Sequence, residues 1–189
     1  MFSDEIGQNM CHKLYQHLGS QVINCCMPAA TYSQILDKVI SGKYCPSTTI
    51  IILIGRRGNV SLNMLKDYFE SLITLNVKKV VLFAFPYGKG LSQTENNHRN
   101  KCNMKLHTMS QYNSTFEFID TNVIISNNYF MTKDNYYLSN YYKGLIASAL
   151  SYCILTTAKC LAKHSAPIEQ LDNSCFSQQT LEFVPSNLN

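Results

Sequence analysis

The sequence is 189 residues long, with a mass of 21.5 kDa, which is enough for one domain with a hydrophobic core and too little for two. Hydrophobic residues make up 46% of it and charged residues only 15%, so the composition excludes a wholly disordered chain. Lysine and arginine number 16 against 12 aspartates and glutamates, a mild excess without a basic run that does not by itself indicate nucleic-acid binding.

Helix-like and strand-like patterns alternate along the chain. Continuous β-branched runs at 48–55 and 78–86 are typical of strands covered on both faces of a parallel sheet. The predicted elements, in chain order, are helix 4–18, strand 21–26, helix 31–41, strand 48–55, helix 61–75, strand 78–86, helix 94–111, strand 115–120 and helix 138–163. This alternation predicts an α/β fold with a doubly wound, flavodoxin-like, mostly parallel sheet and helices on both faces.

The predicted organisation is one α/β domain over 1–163 and a C-terminal tail over 164–189, which we expect to be partly mobile. All 16 basic residues lie in the domain together with nine of the acidic ones, a net charge of +7. The tail carries Glu169, Asp172 and Glu182 and no basic residue, a net charge of −3.

Eight cysteines leave a choice between disulfides and free thiols. The first ten residues lack the basic-then-apolar pattern of a secretory signal, so we expect an intracellular protein with mostly buried free thiols. There is no CxxC pair with a second ligand pair, and we expect neither a metal nor a cofactor. The longest uncharged apolar stretch, 144–158, is 15 residues long, so it favours a core helix over a membrane span.

Four segments along the chain have a familiar order. Residues 3–8 (SDEIGQ) resemble the [GS]-D-S-x-G-R opening of the SGNH, or GDSL-type, esterase and lipase superfamily, and residues 28–31 (PAAT) are similar to its P-G-A-T turn. Residues 50–59 (IIILIGRRGN) resemble the strand that leads to G-x-N-D, and residues 134–139 (DNYYLS) resemble D-x-x-H-L-[NS].

A fifth region supports the same resemblance. Phe85, Pro86 and Tyr87, followed by Asn96 and Asn103, match the P-x-R … N-x6-N region of that superfamily. The resemblance covers residues 2–155 and is nearest to the esterase-like domains of animal retroelements.

The resemblance implies a set of catalytic positions. In the superfamily, the serine attacks an ester carbonyl, and the histidine that removes its proton is oriented by the aspartate. The serine N–H, the glycine N–H of P-G-A-T and the asparagine side chain of G-x-N-D stabilise the oxyanion. This chain has Glu5 at the serine, Ala29 at the glycine, Arg57 at the asparagine (or Gly58 after a one-residue shift), Tyr137 at the histidine and Asp134 at the aspartate. Only the aspartate matches, so the resemblance implies a pseudoenzyme with no catalytic residue.

The same region supplies candidate ligand contacts, each with a structural alternative. These candidates are Glu5, Arg56, Arg57, Asn59 and Tyr137. Glu5 is either a ligand contact or a complement to a helix dipole, and the arginine pair either holds an anion or is a solvated loop. Asp134 either keeps a site role or caps the last helix. The tyrosine cluster formed by Tyr136, Tyr137, Tyr141 and Tyr142 is either packing or a surface for a partner.

The superfamily has a strand before its opening motif, whereas only Met1 and Phe2 precede Ser3 here. We therefore expect the first strand to be missing or replaced, with residues 180–184 (TLEFV) as one candidate for the gap. An exposed sheet edge would favour a homodimer or a strand-donating partner.

The leading functional expectation is a catalytically inactive SGNH-like domain that binds a protein partner, a second copy or a small ligand in the degenerate cleft. The alternative is a hydrolase with rewired residues, such as a carboxylate pair of Glu5 and Asp134. A third is weak nucleic-acid binding, which the lack of a basic run disfavours, and no membrane partner is expected. If the resemblance holds, Glu5 and Tyr137 line one cleft, with Ala29 and Arg57 or Gly58 on its wall.

Overall fold

A computed structural model describes residues 1–54, 60–88, 91–124 and 139–164. Five strands form one parallel sheet in the order β2-β1-β3-β4-β5. The strands are β1 (Phe2–Ser3), β2 (Cys25–Cys26), β3 (Thr49–Leu53), β4 (Lys79–Phe83) and β5 (Phe116–Ile119). This order, with helices packed around the sheet, confirms the prediction of a doubly wound α/β fold.

The prediction that the first strand is missing or replaced is wrong. Phe2 pairs with Cys25 on one side and Ile52 on the other, so β1 lies inside the sheet between β2 and β3. Two residues are enough because their backbone groups bridge both neighbours. Residues 180–184 are not needed in this place, and they lie outside the described residues together with the rest of 165–189.

The helices are α1 (Met10–Leu18), α2 (Tyr32–Ile40), α3 (Leu62–Ile73), α4 (Gln93–Gln111), α5 (Thr121–Ile124) and α6 (Asn140–His164). All but α5 fall within or close to predicted helices. The predicted helix 4–18 is divided, because Asn9 adopts a left-handed conformation (φ 62°) between a 3-10 helix over Glu5–Gly7 and α1. None of the described helices is long and apolar enough to cross a membrane.

Side chains of the two central strands alternate between two hydrophobic clusters. Ile50 and Ile52 of β3 face α2, α3 and α4, whereas Ile51 and Leu53 face α1 and α6. All five residues of β4 are buried. Strands covered on both faces favour continuous apolar runs, and β3 and β4 are hydrophobic throughout after their first residues, Thr49 and Lys79.

Candidate functional site

The turn after β1 is built around buried polar groups. The Asp4 carboxylate accepts a hydrogen bond from the Ile6 N–H (3.0 Å) and so caps the 3-10 helix. Ser3 and Asp4 are fully buried. A Cβ atom on Gly7 would lie 2.1 Å from Ser3 Oγ and 2.4 Å from Ser3 Cβ, so the turn requires glycine at this position.

Glu5, at the position of the superfamily serine, binds the turn that follows β2. Its side chain is buried, and Oε2 accepts a hydrogen bond from the Ala29 N–H at 2.9 Å. Ala29 stands where the superfamily has glycine, and its φ of 63° lies in the left-handed region that favours glycine. The structure thus brings together two of the positions that the sequence singled out.

Cys26 lies next to this contact. Its Sγ donates a hydrogen bond to the Asp4 carbonyl at 3.1 Å. Burial raises the pKa of the Cys26 thiol, and the negative charges of Asp4 and Glu5 raise it further, whereas the side chain of Ser3 and the charge of Lys143 lower it. Cys26 is therefore held as a neutral thiol rather than as a nucleophilic thiolate.

Lys143 of α6 reaches the same region. Its side chain is buried, and Nζ donates to the Gln8 carbonyl at 2.6 Å. Burial lowers the pKa of the Lys143 amine, and the neighbouring charge of Lys13 acts in the same direction, while Cys26 acts in the other. Neither Lys143 nor Cys26 was predicted from the sequence. The available signal for Lys143 was its position at the start of the uncharged stretch 144–158.

Two asparagines of α4 hold the loop after β4 by paired hydrogen bonds. Asn103 accepts from the Phe85 N–H (2.8 Å) and donates to the Phe85 carbonyl (3.0 Å). Asn96 accepts from the Gly88 N–H (3.1 Å) and donates to the Gly88 carbonyl (3.1 Å). These are the two asparagines of the N-x6-N match, and in this chain each binds both polar groups of one backbone residue.

Two further asparagines complete the support of this loop. Asn122, in α5, accepts from the Tyr87 N–H at 2.8 Å and donates to the Phe85 carbonyl at 3.1 Å. Asn100 accepts a hydrogen bond from the Tyr87 hydroxyl at 2.9 Å. The loop is therefore fixed by side chains from two helices.

An open groove of about 710 Å³ adjoins the turn that carries Ala29. Its walls are this turn and the exposed side of α2, and the lining residues are Met27, Pro28, Ala29, Ala30, Gln34, Asp37, Lys38 and Ser41. A volume of this size accommodates a small ligand or a short peptide segment.

Six of the predicted site residues lie outside the described residues: Arg56, Arg57, Gly58, Asn59, Asp134 and Tyr137. The relation of Glu5 to Tyr137 therefore stays a prediction. Of the tyrosine cluster, Tyr141 is exposed and Tyr142 packs against the core, with their rings at right angles and 5.2 Å apart. Within the described ranges, no three His, Cys, Asp or Glu side chains are placed to hold a metal ion.

Comparison with solved structures agrees with this architecture. A Streptococcus pneumoniae peptidoglycan O-acetyltransferase A (OatA) C-terminal catalytic domain with methylsulfonyl adduct superposes with a TM-score of 0.58 at 13% identity, covering 83% of this chain and 92% of that one. A protein from the same genus, named as a platelet activating factor from Streptococcus pneumonia, gives a TM-score of 0.56 at 13% identity, covering 81% and 80%.

The sequence itself matches no protein-family model and no curated protein. The fold of this chain is SGNH-like. At such low identity the likeness concerns the fold alone.

Proposed function

We propose that this chain is a catalytically inactive SGNH-like domain that acts by binding a protein partner or a small ligand beside its degenerate cleft. The observation that carries the proposal is the hydrogen bond from the Ala29 N–H to the Glu5 carboxylate. Kinship with the esterase-like domains of animal retroelements belongs to the same proposal and rests on the sequence motifs.

The hydrogen bond between Ala29 and Glu5 bears on whether an oxyanion can be stabilised here. In the active superfamily, the N–H at the position of Ala29 is expected to stabilise a negative charge that develops on the substrate. Here that N–H already donates to a carboxylate, so a developing oxyanion would meet a full negative charge at the place where it needs a donor. Loss of a single oxyanion donor costs on the order of 10²–10³ in kcat, and this chain also lacks the serine nucleophile.

Binding requires no reacting group, and the groove beside Ala29 offers a place for a ligand. The groove is open, and its α2 wall presents the exposed side chains of Gln34, Asp37 and Lys38. Apolar residues with a few polar groups at the rim are typical of sites that bind small molecules.

The catalytic part of the proposal is tested on the full chain with a panel of esters and a fluorophosphonate label. We expect neither turnover above background nor labelling, with an active serine esterase as the positive control. The Glu5→Gln variant, which keeps an oxygen acceptor for the Ala29 N–H, should behave in the same way. Ester hydrolysis that disappears in Glu5→Gln would contradict the proposal and favour the rewired hydrolase.

The binding part is tested by comparing proteins and metabolites retained by the wild type with those retained by a groove variant. Lys38→Glu together with Ser41→Arg changes the charge and narrows the groove at two exposed positions. Lys105→Glu, at an exposed position on α4, is the matched control. We expect a ligand that is retained by the wild type and the control and lost from the groove variant. Equal retention by all three would exclude the groove.

A further inference from the structure

The outer face of α6 is apolar but lacks a cover among the described residues. This outer face comprises Tyr141, Leu145, Ser148, Tyr152 and Leu155, whose spacings of four and three residues place them along one side of the helix. Tyr141 and Tyr152 are 71% and 72% exposed, and Leu155 is 45% exposed.

The opposite side of α6 packs in the hydrophobic core. Ile146, Ala147 and Leu150 are completely buried against β3, β4 and α1. Helix α6 is thus apolar on both sides, and residues 144–158 contain no charge at all. Helices that are hydrophobic all round are normally covered on all sides, so we expect another segment or molecule to cover the outer face of α6.

We propose that residues 165–189 of the same chain cover the outer face of α6. The charges of the two parts support this placement. Helices α1 and α6 pack side by side and together carry Lys13, Lys143, Lys159 and Lys163 without a single acidic residue. Residues 165–189 carry Glu169, Asp172 and Glu182 without a single lysine or arginine. The two parts therefore carry opposite net charges and attract each other.

The composition of residues 165–189 also supports this placement. The acidic residues of 165–189 are interspersed with large apolar ones, which are Ile168, Leu171, Phe176, Leu181, Phe183 and Val184. These side chains match the tyrosines and leucines of the outer face of α6, to which the exposed Tyr15 of α1 adds a further aromatic ring on the neighbouring helix. The strand β1 fills the sheet gap once considered for residues 180–184, so these apolar residues are not required there.

Residues 165–189 are also long enough to extend along the outer face of α6. Residues 165–189 begin where α6 ends, at His164. An extended segment of 25 residues spans up to roughly 80 Å, whereas a 25-residue helix is only about 38 Å long. The segment can therefore turn back and run along the entire outer face of α6.

Hydroxyl-radical footprinting of the full chain tests this proposal. Tyr141 and Tyr152 should be modified severalfold more slowly than Tyr112, which is 86% exposed, follows α4 and serves as the internal reference. Charge reversal in the variant Glu169→Lys, Asp172→Lys and Glu182→Lys should remove this protection at low ionic strength. The control variant Asp67→Lys and Glu70→Lys, on the exposed side of α3, should leave the protection in place.

Three outcomes would overturn the proposal. Modification of Tyr141 and Tyr152 at the rate of Tyr112 in the wild type would show that nothing covers the face. Protection that declines on dilution together with a dimer would assign the cover to a second copy. Protection that survives the charge reversal would assign it to another segment.

Discussion

The turn after β1 and the loop after β4 both follow the carboxyl ends of strands in the same sheet, yet they relate differently to the SGNH pattern. In the loop after β4, Asn96 and Asn103 match the pattern, and both bind backbone groups. In the turn after β1, Gly7 matches and is required by close packing, whereas Glu5 stands where the SGNH pattern has serine. The matching positions are those that fix the backbone, and the differing position is the one at which the pattern has its serine.

The largest expected effect concerns the loop after β4. Replacing Asn103 by alanine leaves the buried N–H of Phe85 without its partner and removes one of the two side chains, Asn103 and Asn122, that donate to the Phe85 carbonyl, so we expect a loss of about 3 kcal/mol in the free energy of unfolding. Asn100→Ala removes one hydrogen bond at an exposed position and should cost about 0.5 kcal/mol. Urea unfolding measures both. Equal losses would mean that Asn103 does not hold the loop in the way described.

A smaller effect is expected in the turn after β1. Gly7→Ala forces Cβ into Ser3, and this overpacking should destabilise the chain by about 2 kcal/mol. Gly144→Ala is the matched control, because a Cβ atom there meets nothing within 4 Å and alanine favours a helix by up to about 1 kcal/mol. Thermal unfolding should therefore shift in opposite directions. A tolerated Gly7→Ala would remove the structural reason for glycine at this position.

The smallest effect concerns the charge beside the turn. Since burial lowers the pKa of Lys143 below its ordinary value of 10.5, the unfolded chain holds this proton more tightly than the folded one. The contribution of Lys143 to stability therefore rises with pH between the lowered value and 10.5, where it is fully regained. The difference in unfolding free energy between wild type and Lys143→Met should be about 1 kcal/mol or less at neutral pH and shift in favour of the wild type as pH rises.

The control for this measurement is Lys105→Met, which removes a lysine that is exposed on α4. This variant measures what the loss of one exposed positive charge does over the same pH range. A difference for Lys143→Met that follows the same course would mean that its amine is not held in a desolvated place.

Much of the fold could be predicted because its strongest elements have strong patterns. The strands β3 and β4 were recognisable as uninterrupted buried runs, and Thr31, the first residue of the predicted helix 31–41, forms a capping box with Gln34 at the start of α2. The strand β1 was missed because two residues have no periodicity. The division between the 3-10 helix and α1 was missed because Ile6, Met10 and Leu14 keep a helical spacing across Asn9.

The candidate site was only partly predictable. The resemblance singled out Glu5 and Ala29, but a motif comparison cannot show that one donates to the other, since the hydrogen bond depends on how two turns 24 residues apart meet. Lys143 was not identified because a lysine at the edge of an apolar stretch is usually exposed. Its burial follows from the packing of α6 against α1 and the turn that contains Gln8.

The shortness of β1 has a consequence for local opening. Strand β2 and the turn after it join the sheet through two paired residues, with the Cys25 N–H bound to the Met1 carbonyl and the Met27 N–H bound to the Ser3 carbonyl, both at 2.8 Å. Strands β3, β4 and β5 share longer ladders. Amide hydrogens of β2 should therefore exchange with solvent at a lower free energy than those of β4. Such an opening separates Ala29 from Glu5, so one of the shortest strand pairings of the sheet lies beside its candidate site.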